Sequence, residues 1–404
     1  MKYEWRAVLL LFVAFGLVGL DRFAINSLFP AMKRDLHLTY QDLGDVTGVL
    51  AISWGVAATA MGPVSDRFGR RIVLIPSVLA FSALAGLSGL TTGIGSLLVV
   101  RTLMGVAEGA FLPACIAATI EASKPSRHGF NFGFQGTGLP LIGLGLGPIL
   151  TTQVLDITGS WRWSFCIVSL PGLVVAYLMY RVLRDTQGTV GAEPDAAQSA
   201  TGKDLSWRDV VRSRNVVLAA LIMVCIAGSL NVVIAMTPSY LMNHLRLDER
   251  HMGFILSGVG LGGLSGGLLL PALSDRIGRK SVMLLGAASA TVALWAFSRS
   301  PANPLLLTCL LWAIANFAFG IISINVGPLT VESTPAALAS TAAGLVAGVG
   351  ELVGGGLAPP LAGYVADHYG IEHVFGVALA ALVTCVLLIC FVKEPTRLRN
   401  TART

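Results

Sequence analysis

The sequence predicts an all-α membrane protein with twelve transmembrane helices in two pseudo-symmetric six-helix bundles. Three observations predict it. Only 12% of the 404 residues are charged and 54% are hydrophobic, whereas a water-soluble chain carries roughly 25% charged residues. Apolar runs of about 20 residues, each long enough to cross ~30 Å of hydrocarbon as a helix, recur twelve times. A loop sequence, SDRFGRR (65–71), returns as SDRIGRK (274–280) about half a chain later.

The spans read, in order, 7–29, 43–64, 72–91, 94–118, 129–153, 162–183, 215–237, 251–273, 281–298, 303–327, 338–362 and 371–392. Asp21 and Arg22 are the charged residues of span 1. Span 2 runs into the first loop motif and span 8 into the second. Span 4 carries RTLMGVAEGAFLP (101–113), and span 5 carries GLGLGP (143–148). Span 7 closes on TPSYL (237–241), and span 8 contains GVGLGGLSGG (258–267). The chain has 46 glycines. Each would cost about 1 kcal/mol against Ala in a soluble helix, but in a membrane small residues let helices approach closely. The glycine-rich stretches therefore read as packing faces. The halves are expected at 1–183 and 213–404. The polar linker between them, 184–212, includes GTVGAEPDAAQSATG (188–202), and its LSWRDVVR (205–212) is compatible with a short amphipathic helix on the membrane surface.

Twenty Lys and Arg residues fall in the segments on the side of both termini, six fall in the opposite loops, and Arg22 and Arg101 lie inside spans. Positive residues accumulate on the cytoplasmic side, so both termini are expected to be cytoplasmic, in a bacterial inner membrane. The net charge of +6 is then a topology signal. Scattered over short loops, it does not indicate a nucleic-acid partner. The first span is too long for a signal-peptide core and is expected to stay attached. All six cysteines fall within spans, which points to free thiols and no disulfide framework. No stretch has metal-ligand spacing, a phosphate-binding glycine loop or a nucleophile elbow, so neither an enzyme nor a cofactor is expected. The expected surroundings are a lipid bilayer and no partner chain, as a monomer.

The duplication extends beyond the loops. Glu121 with Pro125 after span 4 is matched by Glu332 with Pro335 after span 10. GPVSDRFGRR (62–71) resembles the inner-loop motif of the major facilitator superfamily, and the twelve-span, duplicated layout covers the whole chain. The resemblance implies the major facilitator fold. It also implies an inner gate formed by Asp66, Arg67, Gly69 and Arg70 in the first half and by Asp275, Arg276 and Arg279 in the second, a cluster that in the family helps hold the outward-open state. Pro271 stands where the first half has Gly62, so the second cluster is the less complete latch.

An isolated Asp or Arg in mid-membrane costs roughly 2.5–3.5 kcal/mol on insertion scales, and such residues usually face one another or a water-filled cavity. Asp21 and Arg22 stand ~22 Å along span 1 at 1.5 Å per residue. Sequence neighbours diverge around a helix, so each needs a partner on another helix. Span 4 offers Arg101 and Glu108, seven residues apart on one face and ~10 Å apart along it, with Gly105 between. Two acids and two bases make a neutral quartet. As a purely structural set it would be easy to replace with apolar residues, whereas a transporter needs protonatable acids and an anion-binding base.

DRFAINSLFPAM (21–32), Arg101, Glu108 and TPSYL (237–241) resemble the anion:cation symporter family within that superfamily. The resemblance implies that Asp21 and Glu108 are the proton-linked acids. Arg101 would attract a substrate carboxylate, and Arg22 would balance Asp21 and add to the anion field. The second half has no intramembrane Arg, which leaves Asn231, Asn316 and Asn325 either to recognise substrate by neutral hydrogen bonds or to bridge helices. Gln135 is a candidate ligand for a substrate hydroxyl or carboxylate. Glu351 has no obvious partner and reads either as a second proton site or as a residue beside a wet cavity wall.

Together these readings predict proton-coupled uptake of a small organic anion, such as a sugar acid or another carboxylate, by alternating access. The alternative is a proton-driven efflux antiporter for drugs or metabolites. GLGLGP supports it, because it resembles the G-x-x-x-G-P element of superfamily antiporters, but two cavity arginines do not suit an exporter of cations. A sensor or receptor would be expected to add a soluble signalling domain, and neither tail nor linker is long enough for one. Because the first loop motif is the more complete, Asp66→Asn is expected to reduce transport more than Asp275→Asn. Uptake by the two variants at matched expression measures this, and equal losses would remove the inferred asymmetry.

Overall fold

The computed structural model describes residues 3–184, 213–335 and 338–394. The expected linker helix at 205–212 and almost all of the linker lie outside the described residues. Twelve helices long and apolar enough to cross a membrane are present among those described. In the first half they are α1 (Tyr3–Leu36), α2 (Tyr40–Phe68), α3 (Arg70–Ser88), α4 (Ile94–Ala122), α5 (Pro125–Thr158) and α6 (Trp161–Val182). In the second they are α7 (Arg214–His244), α8 (Glu249–Ile277), α9 (Arg279–Arg299), α10 (Pro304–Glu332), α11 (Thr341–Tyr369) and α12 (Ile371–Cys390). All six cysteines are free thiols.

Local sequence explains where several helices begin. Thr39 and Asp42 form a reciprocal capping box at the start of α2, with Asp42 N–H donating to Thr39 Oγ1 at 3.1 Å and Thr39 N–H to Asp42 Oδ2 at 2.7 Å. Asp248 accepts from His251 N–H at 2.9 Å to open α8, and Asn303 accepts from Leu306 N–H at 3.2 Å to open α10. Such caps satisfy amide donors that the first helical turn leaves without partners. The two repeated loops turn through Gly69 and Gly278, both at φ 97° and ψ 148°. This left-handed-side conformation is disfavoured for residues with a Cβ, so the motif needs glycine there.

The repeat is visible in contacts as well as in sequence. Arg70 Nε donates to Glu121 Oε1 at 3.0 Å in the first half, and Arg279 Nη2 donates to Glu332 Oε1 at 2.9 Å in the second. Arg71 donates to the Tyr180 carbonyl and Lys280 to the Cys390 carbonyl, both at 2.6 Å. A widened π-helical stretch recurs at matching places, Leu139–Leu146 of α5 and Gly350–Gly355 of α11.

The halves meet along α2 with α11 and α5 with α8. Close approach there depends on glycine. A Cβ on Gly48 would stand 2.5 Å from the Gly356 carbonyl oxygen, and one on Gly260 would collide with the backbone of Gly145. At the end away from the repeated loops, Asp367 of α11 accepts from the N–H groups of Tyr40 and Gln41 at 3.0 and 2.7 Å. A carboxylate at a helix N-terminus is held by both the amides and the helix dipole, so Asp367 caps α2 from the other half. Asn243 reinforces this contact by donating to the Tyr40 hydroxyl at 2.9 Å.

Toward the basic end, the end bearing the repeated loops, the contacts separate by half. His128–Gly136 packs on α1 and α4, while Ala339–Val349 packs on α7 and α10. A Cβ added at Gly133, Gly136, Gly344 or Gly348 would meet nothing within 4 Å. Among the described residues, the main contacts between the halves therefore gather at the opposite end and not at the basic end.

If Asp367 holds the end away from the repeated loops closed, Asp367→Ala will open it. A cysteine at Thr47 in a cysteine-free background is expected to react faster with a membrane-impermeant maleimide added from the side opposite the repeated loops. Unchanged labelling would mean that the glycine-lined contacts alone close that end.

Candidate functional site

A small cavity lies between the halves. It is lined by Arg22, Asn26 and Thr47 of α1 and α2, Arg101 of α4, Asn231 of α7 and several apolar side chains. Asp21 and Glu108 stand behind it. Asp21, Arg101 and Glu108 are no more than 1% exposed.

Arg22 and Asp21 point to different partners. Arg22 forms an ion pair with Glu351 of α11, which crosses from one half to the other. The Phe23 and Trp54 rings lie 5.5 and 5.7 Å from its guanidinium carbon. Asp21 Oδ2 accepts from Ser82 Oγ at 3.1 Å, and its Oδ1 has no hydrogen-bond partner. Glu351 thus has the partner that the sequence does not disclose, and Arg22 is neutralised by Glu351 in place of Asp21. The cause is geometric: adjacent residues of α1 project ~100° apart, and only Arg22 faces the second half.

Arg101 reaches from α4 to α1. Its Nη1 donates to the carbonyl oxygens of Asp21 and Arg22 at 3.4 and 3.2 Å, and Nε and Nη2 have no hydrogen-bond partner. Gly105, one turn further along α4, lets α2 pack closely against it, because a Cβ there would collide with Ser53 and Leu50. Neither carboxylate oxygen of Glu108 has a hydrogen-bond partner. Glu108 lies within electrostatic range of Arg22, Arg101 and Glu351, and Asp21 within range of Glu108 and Arg101. The expected neutral quartet is therefore a group of five, with three acids and two bases. Fully ionised, it carries one excess negative charge.

The remaining sequence candidates divide. Asn231 lines the cavity, its Nδ2 donating to the Ala227 carbonyl at 3.0 Å. Asn316 is not among the lining residues. Its Oδ1 accepts from Ser265 Oγ at 2.7 Å where α8 crosses α10, so it bridges helices. Asn325 does the same for α10 and α7, donating to the Ala219 carbonyl at 2.8 Å. Gln135 is buried in α5 with Nε2 lacking a hydrogen-bond partner, and it too is absent from the cavity lining. Asn26 was missed. It is buried, it lines the cavity and its Oδ1 lacks a hydrogen-bond partner. The signal was available, since Asn26 follows Arg22 by four residues and so shares its helix face.

At the basic end, Arg67 and Arg276 are exposed. Arg279 pairs with Asp275 and Glu332, and Arg70 with Glu121. These pairs lie within single halves and brace each half internally. The side chain of Asp66 lies outside the described residues.

Twelve membrane helices in two related halves, with a charged cluster buried where they meet, have the architecture of a secondary transporter. The Major Facilitator Superfamily model matches residues 11–354 and 221–404, and the chain belongs to that superfamily. It is 25% identical over 339 residues to the hexuronate transporter of Bacillus subtilis (strain 168), covering 82% of this chain and 76% of that one. It is 24% identical over 381 residues to a probable 4-methylmuconolactone transporter of Cupriavidus pinatubonensis (strain JMP 134 / LMG 1197), covering 93% and 87%. A solved bacterial homolog of the human lysosomal transporter Spinster, described as inward-facing and unoccupied, shares the fold. Its TM-score is 0.79 at 16% identity, over 96% of this chain and 95% of that one. The protein is a multi-pass membrane transporter and not an enzyme.

Arg101→Lys keeps the charge but is expected to lose most transport. A guanidinium can hold the α1 carbonyls through Nη1 and still offer Nε and Nη2 as a two-pronged donor to a carboxylate, which an ammonium cannot reproduce. Radiolabelled uptake and binding measure this, and near-normal values would reduce Arg101 to a source of positive field.

Proposed function

We propose that the protein is a proton-coupled importer of a small organic anion, working by alternating access in a bacterial inner membrane with both termini cytoplasmic. The observation that carries this reading is the buried set of three acids and two bases against the cavity between the halves. The hexuronate and methylmuconolactone transporters it resembles support the substrate class, since a hexuronate is a sugar acid.

Electrostatics links anion and proton. Two like charges ~8 Å apart repel by about 2 kcal/mol at an effective dielectric near 20. An anion entering a cluster that already carries one excess negative charge is opposed by that amount, roughly 30-fold in affinity. Protons on Asp21 and Glu108 leave Arg22, Arg101 and Glu351, a net positive charge that a monoanion neutralises. Arg101, offering its remaining N–H groups, and Arg22 beside it then face the substrate carboxylate together, and Asn26 and Asn231 serve neutral hydroxyls or carbonyls. With the basic end as the cytoplasmic face, contacts between the halves gather at the outer end, as suits a conformation that releases substrate inward. Loss of the two protons restores the excess negative charge and expels the anion.

Asp21→Asn and Glu108→Gln are each expected to abolish uphill uptake driven by a proton gradient while retaining substrate binding, because the amides mimic protonated acids. The paired measurement is gradient-driven uptake in proteoliposomes and equilibrium binding in detergent, with glucuronate and benzoate as probes. Normal accumulation in both variants would remove these acids from the coupling role. A wild-type protein that binds none of a panel of sugar acids and aromatic acids would remove the substrate class.

A further inference from the structure

Glu351 occupies an unusual place. It lies in the widened turn Gly350–Gly355 of α11, and π-helical turns re-aim side chains and recur at functional sites. Its carboxylate reaches across to Arg22, the cavity-lining cation of α1. Gly355 allows this orientation, because a Cβ there would stand 3.1 Å from the Glu351 carboxyl carbon. On the other side, Phe23 and Trp54 flank the guanidinium. The pair joins two bodies that move relative to each other in alternating access.

We infer that Glu351 is a tethered stand-in for the substrate carboxylate, occupying Arg22 in the empty carrier and giving it up when the anion binds. This rests on the organic-anion reading above. Arg22 is then contested by two carboxylates, one covalently attached and one diffusing. Displacement is feasible because the Glu351 side chain keeps 17% of its surface exposed and can turn to water, which the buried Asp21 and Glu108 cannot. The tethered carboxylate has a second consequence. An importer must return empty, and on that stroke Arg22, turned away from Asp21, keeps a direct ion-pair partner in Glu351, where a buried cation without one would be costly; on the forward stroke the substrate carboxylate takes that place. Glu108, in range of both members of the pair, is the nearby acid that senses which carboxylate is present.

Two effects of opposite sign test this. In Glu351→Gln the competitor is gone, and glucuronate or benzoate, whichever the wild type binds, is expected to bind about tenfold more tightly, ~1.4 kcal/mol. Net uptake, which needs the empty carrier to return, should fall several-fold, while counterflow, which exchanges loaded carriers, should persist. Glu351→Asp keeps a carboxylate and should recover part of the net uptake. A merely structural bridge would give weaker or unchanged binding, with net uptake and counterflow reduced in proportion, and that result overturns the inference while leaving the functional reading intact. A wild-type protein that binds neither acid overturns both.

Discussion

The rest of the structure depends on one electrostatic constraint: five ionisable side chains are gathered where the two helical bundles meet, three of them almost fully buried in the first half. Each isolated charge there costs a few kcal/mol, and no pair alone accounts for all five. Arg22 is satisfied only because α11 of the second half brings Glu351 to it. Arg101 is satisfied in part by two α1 carbonyls, and its remaining N–H groups have no hydrogen-bond partner. Asp21 has one hydroxyl donor, and the carboxylate oxygens of Glu108 have no hydrogen-bond donor. A site so incompletely paired is a poor source of stability, because buried ion pairs seldom outperform apolar packing. It is well suited to a charge balance that changes when a proton or an anion arrives.

The scaffold keeps this balance at a junction between moving parts. Glycine at Gly48, Gly145 and Gly260 lets helices of opposite halves touch backbone to backbone at one end. Asp367 on the amides of α2 adds a polar clasp there. At the basic end, Arg70 with Glu121 and Arg279 with Glu332 stiffen each half internally. Bundles that are rigid within themselves and joined through small contacts can rock as bodies, and the Arg22–Glu351 pair sits between the two sets of contacts.

Much of this was legible in the chain. Hydropathy placed all twelve helices, and the loop repeat placed the pseudo-symmetry that recurs as matched Arg–Glu pairs. Asp21, Arg22, Arg101 and Glu108 stood out because charges within apolar spans are rare, and the structure gathers all four. The asparagines were harder. Asn231 lines the cavity while Asn316 and Asn325 bridge helices, and one amide in a membrane helix reads like another. Glu351 was conspicuous but unassigned, since its partner lies 329 positions away.

The sequence by itself determined the number of helices, the duplicated halves, the basic end and which residues are too costly to bury without a purpose. These follow from local or additive properties: hydropathy summed over a span, charge counted by loop, and a motif compared with itself. Tertiary structure decided which charge answers which, and at which end the halves meet. Those outcomes depend on rotation about each helix axis and on the packing of one half against the other. A ~100° step per residue separates Asp21 from Arg22, and only the approach of α11 turns that step into an ion pair across the transporter.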